Sequence, residues 1–258
     1  MKFNNRNVII SESATIGKNV KIGDNSVIYD NVVIEDDTII ANNCIIGEPT
    51  NEYYYDEEYK NEITRIGSKS LIRSHTIIYS GCKIGRNFST GHSVTIRENT
   101  IIGSNCRVGT LSDLQGNLKL GDYCWLHSNV HLGQGTKIGH FVFIYPFVVF
   151  TNDPTPPSNI CEGSSIGNFS QVAVNTTILP GLEIGKHVLI GANSLVSRNV
   201  KDFMLCTGNP AKELKKVNEI KSRENNKSHY PWPYNFDRNM PWVDLGFDEW
   251  LKINPKYD

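Results

Sequence analysis

No stretch of this chain is apolar for long: nothing at its N-terminus resembles a signal peptide, and nothing elsewhere reaches the length of a membrane span. A soluble cytoplasmic protein without membrane contact is therefore expected. Charge of either sign is not in surplus, since 26 Lys and Arg stand against 27 Asp and Glu for a net of -1. A nucleic-acid binder normally carries a basic stripe, so nucleic acid is not an expected partner. HExxH, CxxC and phosphate-loop motifs are missing too, which leaves no sequence basis for a metal or for nucleotide hydrolysis. Six cysteines are present without a pairing pattern, and Cys161 and Cys206 match no spacing rule.

What is present is a strict period of six. From Ile66 to Phe150 an apolar residue occupies every sixth position, through Ile72, Ile78, Ile84, Ile96, Ile102, Val108, Leu114 and onward, with Thr90 the one exception. Neither a helix, at 3.6, nor a simple strand, at 2, repeats this way; a short strand plus a corner does. Two residues before each member lies a second, mostly small series that includes Cys44, Cys82, Cys106 and Cys124. Residues two apart on a strand point the same way, so both series face inward and these cysteines are packing residues. Fourteen of the 21 glycines directly follow an inward residue, where the chain nears a corner and φ is expected to be constrained. Such a unit buries its apolar face only by stacking on copies of itself, which is the logic of a solenoid.

The ladder starts at Ile10 and breaks twice. Residues 47–65 are acidic and tyrosine-rich, and residues 151–165 carry three prolines; both read as excursion loops from a corner. Rungs resume at Ile166 and end after Val196, giving 28 hexads, or a little over nine coils if three hexads close each one. The expected division is a β-helix over 1–198 and a tail over 199–258. In that tail Leu214, Val217 and Ile220 have helical spacing after Pro210, which predicts a short helix over 211–223. The aromatic, proline-rich remainder is expected to lie extended on a surface, capping the tube or clasping a neighbouring chain. Outward-facing Trp125, Phe143, Tyr145 and Val149 are apolar for an exposed wall and predict a homotrimer.

These rungs, as in IGRNFSTGHSVTIRENTIIGSNCRVG, resemble the hexapeptide-repeat acyltransferases. That resemblance implies an all-β, left-handed parallel β-helix, a trimer, acyl-coenzyme A as co-substrate, and active sites between subunits. The stretches FSTGHSVTIRE, VGTLSDLQG, LHSNVHLGQ, VVFTNDPTPPS and TGNPAK further resemble the branch that N-acylates amino dideoxy sugars linked to dTDP or UDP. The function implied is transfer of an acyl group, most simply acetyl, from acyl-coenzyme A to such a nucleotide-linked amino sugar, in surface-polysaccharide precursor synthesis. A sugar O-acetyltransferase, or a noncatalytic or metal-dependent β-helix protein, are the alternatives.

Because a coil is 18 residues, positions 18 apart stack, and columns can be read directly. One corner column runs Ser80, Glu98, Gly116, Gln134, Asn152, with Asp153 following; polar side chains flank a glycine that leaves a hollow for a sugar. The resemblance assigns this column and Asp153 to the sugar pocket. A neighbouring outward column holds Thr95, Asp113 and His131, beside Arg97 and Gln115; Asp113 beneath His131 can orient an imidazole or hold a sugar hydroxyl. Glu98 and His92 are the candidate acid–base groups for the amine, His92 alternatively being a corner or interface residue. Lys186, Gly191 and Lys212 are the expected contacts of coenzyme A.

Overall fold

The computed structural model describes residues 3–257. Twenty-eight short strands, from Ile9–Ile10 to Leu195–Val196, wind as a left-handed parallel β-helix. Every third strand falls on the same wall, so the tube has three parallel sheets, called first, second and third in the order the chain visits them. The first has 10 strands and the second 9; the third has 11, because two further strands join its end. Register follows the 18-residue coil: Thr95 pairs with Asp113, and Asp113 with His131. The inward series is the core. Ile66, Ile72, Ile78, Ile96, Leu114 and Leu132 are each 0% exposed, and each such side chain contributes roughly 1.5–3 kcal/mol. Small inward residues serve a second purpose at the corners, where Thr136 Oγ1 donates to the Gly133 carbonyl at 2.6 Å. All six cysteines are free thiols.

The corner glycines act through space rather than through φ. Of the fourteen that follow inward residues, only Gly47 has φ in the left-handed region, at +80°. A Cβ on Gly109 would lie 2.4 Å from the His127 carbonyl carbon one coil on, and one on Gly85 would lie 2.7 Å from that of Gly103. The left-handed residue comes later in each corner and is commonly asparagine, which tolerates that conformation. Stacked asparagines also bond to one another, as Asn87 Nδ2 does to Asn105 Oδ1 at 2.8 Å.

The expected helix over 211–223 is not formed. Met204–Gly208 and Ala211–Lys216 make an antiparallel hairpin on the last rung of the third sheet, followed by a 3-10 turn at Val217–Glu219. The open edge of the last rung offers backbone partners to any strand that follows, and this outweighs a three-residue helical spacing. Leu214, which the helix would bury, is 61% exposed.

Beyond the hairpin the chain turns back along the outer wall of the third sheet. Phe141 and Phe169, stacked one coil apart at 5.1 Å, are buried there by Trp232, Trp242, the helix Phe247–Ile253 and Tyr257. The same tail covers Phe143, 8% exposed, and lies against Trp125. These two residues therefore do not speak for a second subunit, since their cover comes from their own chain.

A polar clasp fastens the end. Tyr257 Oη donates to Asp122 Oδ2 at 2.8 Å, Lys256 Nζ does so at 3.3 Å, and Asn168 Nδ2 donates to the Tyr257 carbonyl at 2.9 Å. Burial lowers the His140 pKa, and its Nδ1 accepts the Asp122 backbone N–H at 2.8 Å, so it stands beside the clasp as a neutral ring. Burial pushes the Asp122 carboxyl up, but the Ser104 N–H, Tyr257 and Lys256 together hold it below the usual aspartate range. A depressed folded-state pKa gives stability that is complete above the unfolded aspartate pKa and is lost as pH falls through the folded one. Asp122→Asn should cost about 1–3 kcal/mol and free the tail while the coils persist. Hydrogen exchange at 250–257 checks this: protection equal to wild type at neutral pH would show that Asp122 is not the clasp.

Candidate active site

Both breaks in the ladder leave the tube at one corner. The first loop follows the first-sheet strand Ile45–Glu48 and returns at Thr64–Ile66 of the second sheet; the other follows Val149–Phe150 and returns at Ser165–Ile166, between the same two sheets. Four turns of this first corner lie between the loops, and they carry Ser80, Glu98, Gly116 and Gln134. The predicted column is thus real and is bracketed at both ends.

The first loop is anchored by buried Asn61, whose Nδ2 donates to the Gly47 carbonyl at 2.9 Å, and by a Tyr53–Tyr59 edge contact. It closes one side of a cleft of about 420 Å³, with Thr50, Glu52 and Tyr59 facing Ser80, Arg97 and Glu98. Tyr59 Oη lies 3.5 Å from Ser80 Oγ. Arg97 forks onto its neighbour, Nε to Glu98 Oε2 at 3.0 Å and Nη2 to Oε1 at 3.1 Å, and its guanidinium sits 5.4 Å from the Tyr79 ring. Both carboxylate oxygens already accept a strong donor, so Glu98 is an orienting partner of Arg97 before it is a proton acceptor. Gly116, at φ +94°, lies over it: a Cβ there would come within 3.1 Å of the Glu98 carbonyl and 3.3 Å of its Oε1. The position therefore lets Glu98 and Arg97 pack close against the next coil, and the cleft itself is lined by Ser80, Arg97 and Glu98 and not by Gly116.

On the first sheet beside that corner, His131 Nδ1 stands 3.2 Å from Asp113 Oδ2, both side chains about two-fifths exposed, and Gln115 Nε2 donates to the same oxygen. The His131 bond, more than burial opposes it, holds the Asp113 carboxyl below its ordinary range. With Nδ1 committed to the carboxylate, the imidazole presents Nε2 as its other nitrogen. A carboxylate-oriented histidine of this kind is built to take a proton.

The remaining expectations divide. Gln134 and Asn152 meet the second loop, where the Cys161 sulfur lies 3.7 Å from Gln134 Oε1 and 3.5 Å from Asn152 Nδ2. Asp153 turns into its own loop, accepting from Thr155 N, Ser158 N and Ser158 Oγ at 3.0, 2.9 and 2.7 Å. The Ser158 hydroxyl chiefly keeps that carboxyl below its usual range. His92 occupies the third corner, exposed, with its backbone N–H on Thr110 Oγ1, so it is not brought to the Glu98 column of its own chain. Lys186, Gly191 and Lys212 are not gathered into one place. Lys186 lies at the second corner with its N–H on Asp202, whereas Gly191 at the third corner abuts Thr207, which pairs with Lys212. Sequence reading missed the first-loop lining, Thr50, Glu52 and Tyr59. The phase of the two breaks would have pointed to it, since both follow a hexad of the first sheet.

Taken together, these features define a hexapeptide solenoid with a polar cleft at one corner. Residues 6–48 match the bacterial transferase hexapeptide family (six repeats), and residues 181–200 match the hexapeptide repeat of succinyl-transferase. The resemblance to the hexapeptide-repeat acyltransferases is thereby borne out. The chain is 28% identical over 107 residues to the chloramphenicol acetyltransferase of Klebsiella aerogenes, covering 38% of this chain and 51% of that protein. It is 35% identical over 115 residues to the Escherichia coli K12 protein WbbJ, to which a lipopolysaccharide biosynthesis O-acetyl transferase role is ascribed, covering 40% and 59%. The chain thus spans little more than half the length of these relatives. In structure it is similar to the Arabidopsis UDP-N-acetylglucosamine acyltransferase, with a TM-score of 0.66 at 16% identity over 83% of this chain and 74% of that one. At that identity the likeness is one of fold. Among the described residues no helix is long and apolar enough to cross a membrane.

The Asp113–His131 contact has its own test. In a carboxyl carbon NMR titration Asp113 should titrate below the ordinary aspartate range, and in His131→Gln it should move up towards that range. An unmoved midpoint would show that the two side chains do not meet in solution.

Proposed function

We propose that this chain is an acyl-coenzyme A-dependent N-acyltransferase whose acceptor is an amino dideoxy sugar linked to dTDP or UDP. The observation that carries the reading is the Asp113–His131 pair on the first sheet, beside the corner that both loops enclose. Relatives named as acetyltransferases support the reaction class.

In the reaction the neutral amine attacks the thioester carbonyl, the N–C bond forms, the C–S bond breaks, and coenzyme A leaves as a thiolate. His131 Nε2 takes the proton from the attacking nitrogen and Asp113 stabilises the imidazolium. The departing thiolate, the base of a thiol of pKa about 8.5, then receives the proton from the imidazolium. Glu98, fixed by Arg97, offers negative charge to the ammonium form of the amine as it enters. Ser80, Gln115, Gln134 and Asn152 supply hydrogen bonds to the sugar, and Asp153 shapes the second loop around it. Backbone N–H groups at the corner are the available oxyanion donors. Coenzyme A phosphates fall to Lys212 near Gly191, with Lys186 at the next corner. A homotrimer is supported by Leu111 and Phe147 at the third corner, apolar, 59% and 55% exposed, and held at φ +59° and +61°, where most other coils use asparagine. His92 shares that corner and would act in catalysis only on a neighbouring copy.

A sugar hydroxyl is the second acceptor to weigh, because an oriented histidine also suits an alcohol and WbbJ carries an O-acetyl transferase ascription. Thiol release with a panel of dTDP- and UDP-linked amino sugars tests both, since hydroxylamine cleaves an ester product and spares an amide. His131→Gln should lower kcat by ~10²-fold or more, while Glu98→Gln should act mainly on the acceptor KM. A His131→Gln enzyme within about threefold of wild type, a change worth under 1 kcal/mol, would remove that histidine from the chemistry.

A further inference from the structure

The outer wall of the second sheet carries charge that the rest of the chain leaves unanswered. Its outward side chains form a file set by the ladder, since Arg65 pairs with Lys83, Lys83 with Ile101, Ile101 with Lys119 and Lys119 with Lys137. Arg65 is neutralised by Glu35 at 3.1 Å. Lys83, Lys119 and Lys137 are exposed, and none has a carboxylate partner among the described residues. Lys119 and Lys137 stand on paired rungs about 4.8 Å apart. Like charges placed directly opposite one another are destabilising, so this wall is built to meet an acid. Ile101, 42% exposed, interrupts the file with an apolar side chain.

The opposite charge is found at the tip of the first loop. Asp56, Glu57 and Glu58 follow one another there, all exposed, and none pairs with a cation among the described residues. Asp56 Oδ1 accepts the Glu58 backbone N–H at 2.9 Å, a contact within the tip itself. Tyr55, beside them, is 90% exposed. The tip thus offers a ring followed by a run of carboxylates, and the file offers an isoleucine set among lysines. The two do not meet within one chain. The loop is anchored by Asn61 and folds over the first corner, where Thr50, Glu52 and Tyr59 face Ser80, Arg97 and Glu98.

Height along the tube decides which partner fits. The turns of Ser80 and Glu98, which the loop covers, lead straight into Lys83–Ile84 and Ile101–Ile102, so loop and file lie at one level. A second copy turned about an axis parallel to the tube keeps that level, and its file meets the tip with no shift along the axis. Rotation without shift closes a ring. We propose that the acidic tip of the first loop docks on the lysine file of a second copy of this chain, with Tyr55 against Ile101 and the carboxylates of Asp56, Glu57 and Glu58 on Lys83 and Lys119. This contact is separate from the apolar third corner, and it stands whether or not the chain transfers an acyl group. Its consequence is local: the loop that walls the cleft of one copy is fastened at its tip by the next.

Carbodiimide coupling of the full chain at low salt tests the contact without any acyl donor or acceptor. It should give a crosslinked dimer on a denaturing gel, and peptide mapping of that band should join Lys83 or Lys119 to Asp56, Glu57 or Glu58. In a sedimentation dilution series, Lys83→Glu with Lys119→Glu should weaken association about tenfold or more, and Glu57→Lys with Glu58→Lys should do the same. A chain carrying all four reversals should associate again, because the signs are exchanged and the pairing is kept. All four side chains are exposed, so the fold does not depend on them, and circular dichroism of each variant checks this. A chain that stays monomeric, a dimer band linked only at other residues, or reversals that associate as tightly as wild type would each overturn the contact. So would weakening that the four-reversal chain does not repair, or polyphosphate binding to the lysine file with no dimer band, which would give the file another partner. Because no transfer is measured, a failure of the acyltransfer reading cannot be mistaken for a failure of this contact.

Discussion

Everything in this molecule depends on how closely one coil can approach the next. Parallel rungs bond only at about 4.8 Å, and at most of the fourteen glycine corners the residue after the inward side chain meets the backbone of the coil above. At Gly109 a single methyl group would already come within 2.4 Å of that backbone. Glycine at these places lets the coils close without displacing one another, and stacking is what buries the isoleucine ladder. The same constraint makes every column of the sequence a column in space. A residue's neighbours are those 18 positions away, and a loop can enter only where it lengthens a corner without moving a rung.

That rigidity also fixes the polar side chains at and beside the corner cleft. Asp113 and His131 are paired residues of adjacent strands, so their separation is set by the ladder and not by flexible loops. Arg97 and Glu98, successive in sequence, fork together at the rim, and Gly116 of the next coil packs closely on both. The two loops then enclose four corners between them. Precision comes from the coils, and enclosure comes from the excursions.

The tail follows a different logic. It forms no rung, and it is held by rings on the third wall and by the Asp122 clasp at its end. It covers one aromatic file and leaves the next partly open. One chain thus carries a polar cleft built by loops on one corner and an aromatic wall packed by its own tail on another side.

The period of six, the inward series, the number of rungs and both loops were legible in the sequence, because a solenoid writes each spatial neighbour at a fixed interval. The polar column from Ser80 to Asn152 was legible for the same reason, as was the Asp113–His131 stack. Three matters were decided only by tertiary structure. Spacing alone could not choose between helix and strand for 211–216, since the deciding partner is the open edge of the last rung. Nor could it say that Phe143 and Trp125 meet Trp232 and Phe236, 89 and 111 positions later, since the tail obeys no period. Side-chain direction was the third: the column lists Glu98 and Asp153 as equals, but Arg97 turns one towards the cleft rim while Ser158 turns the other into its own loop. Periodicity places backbone, and only local hydrogen bonding decides where a carboxylate points.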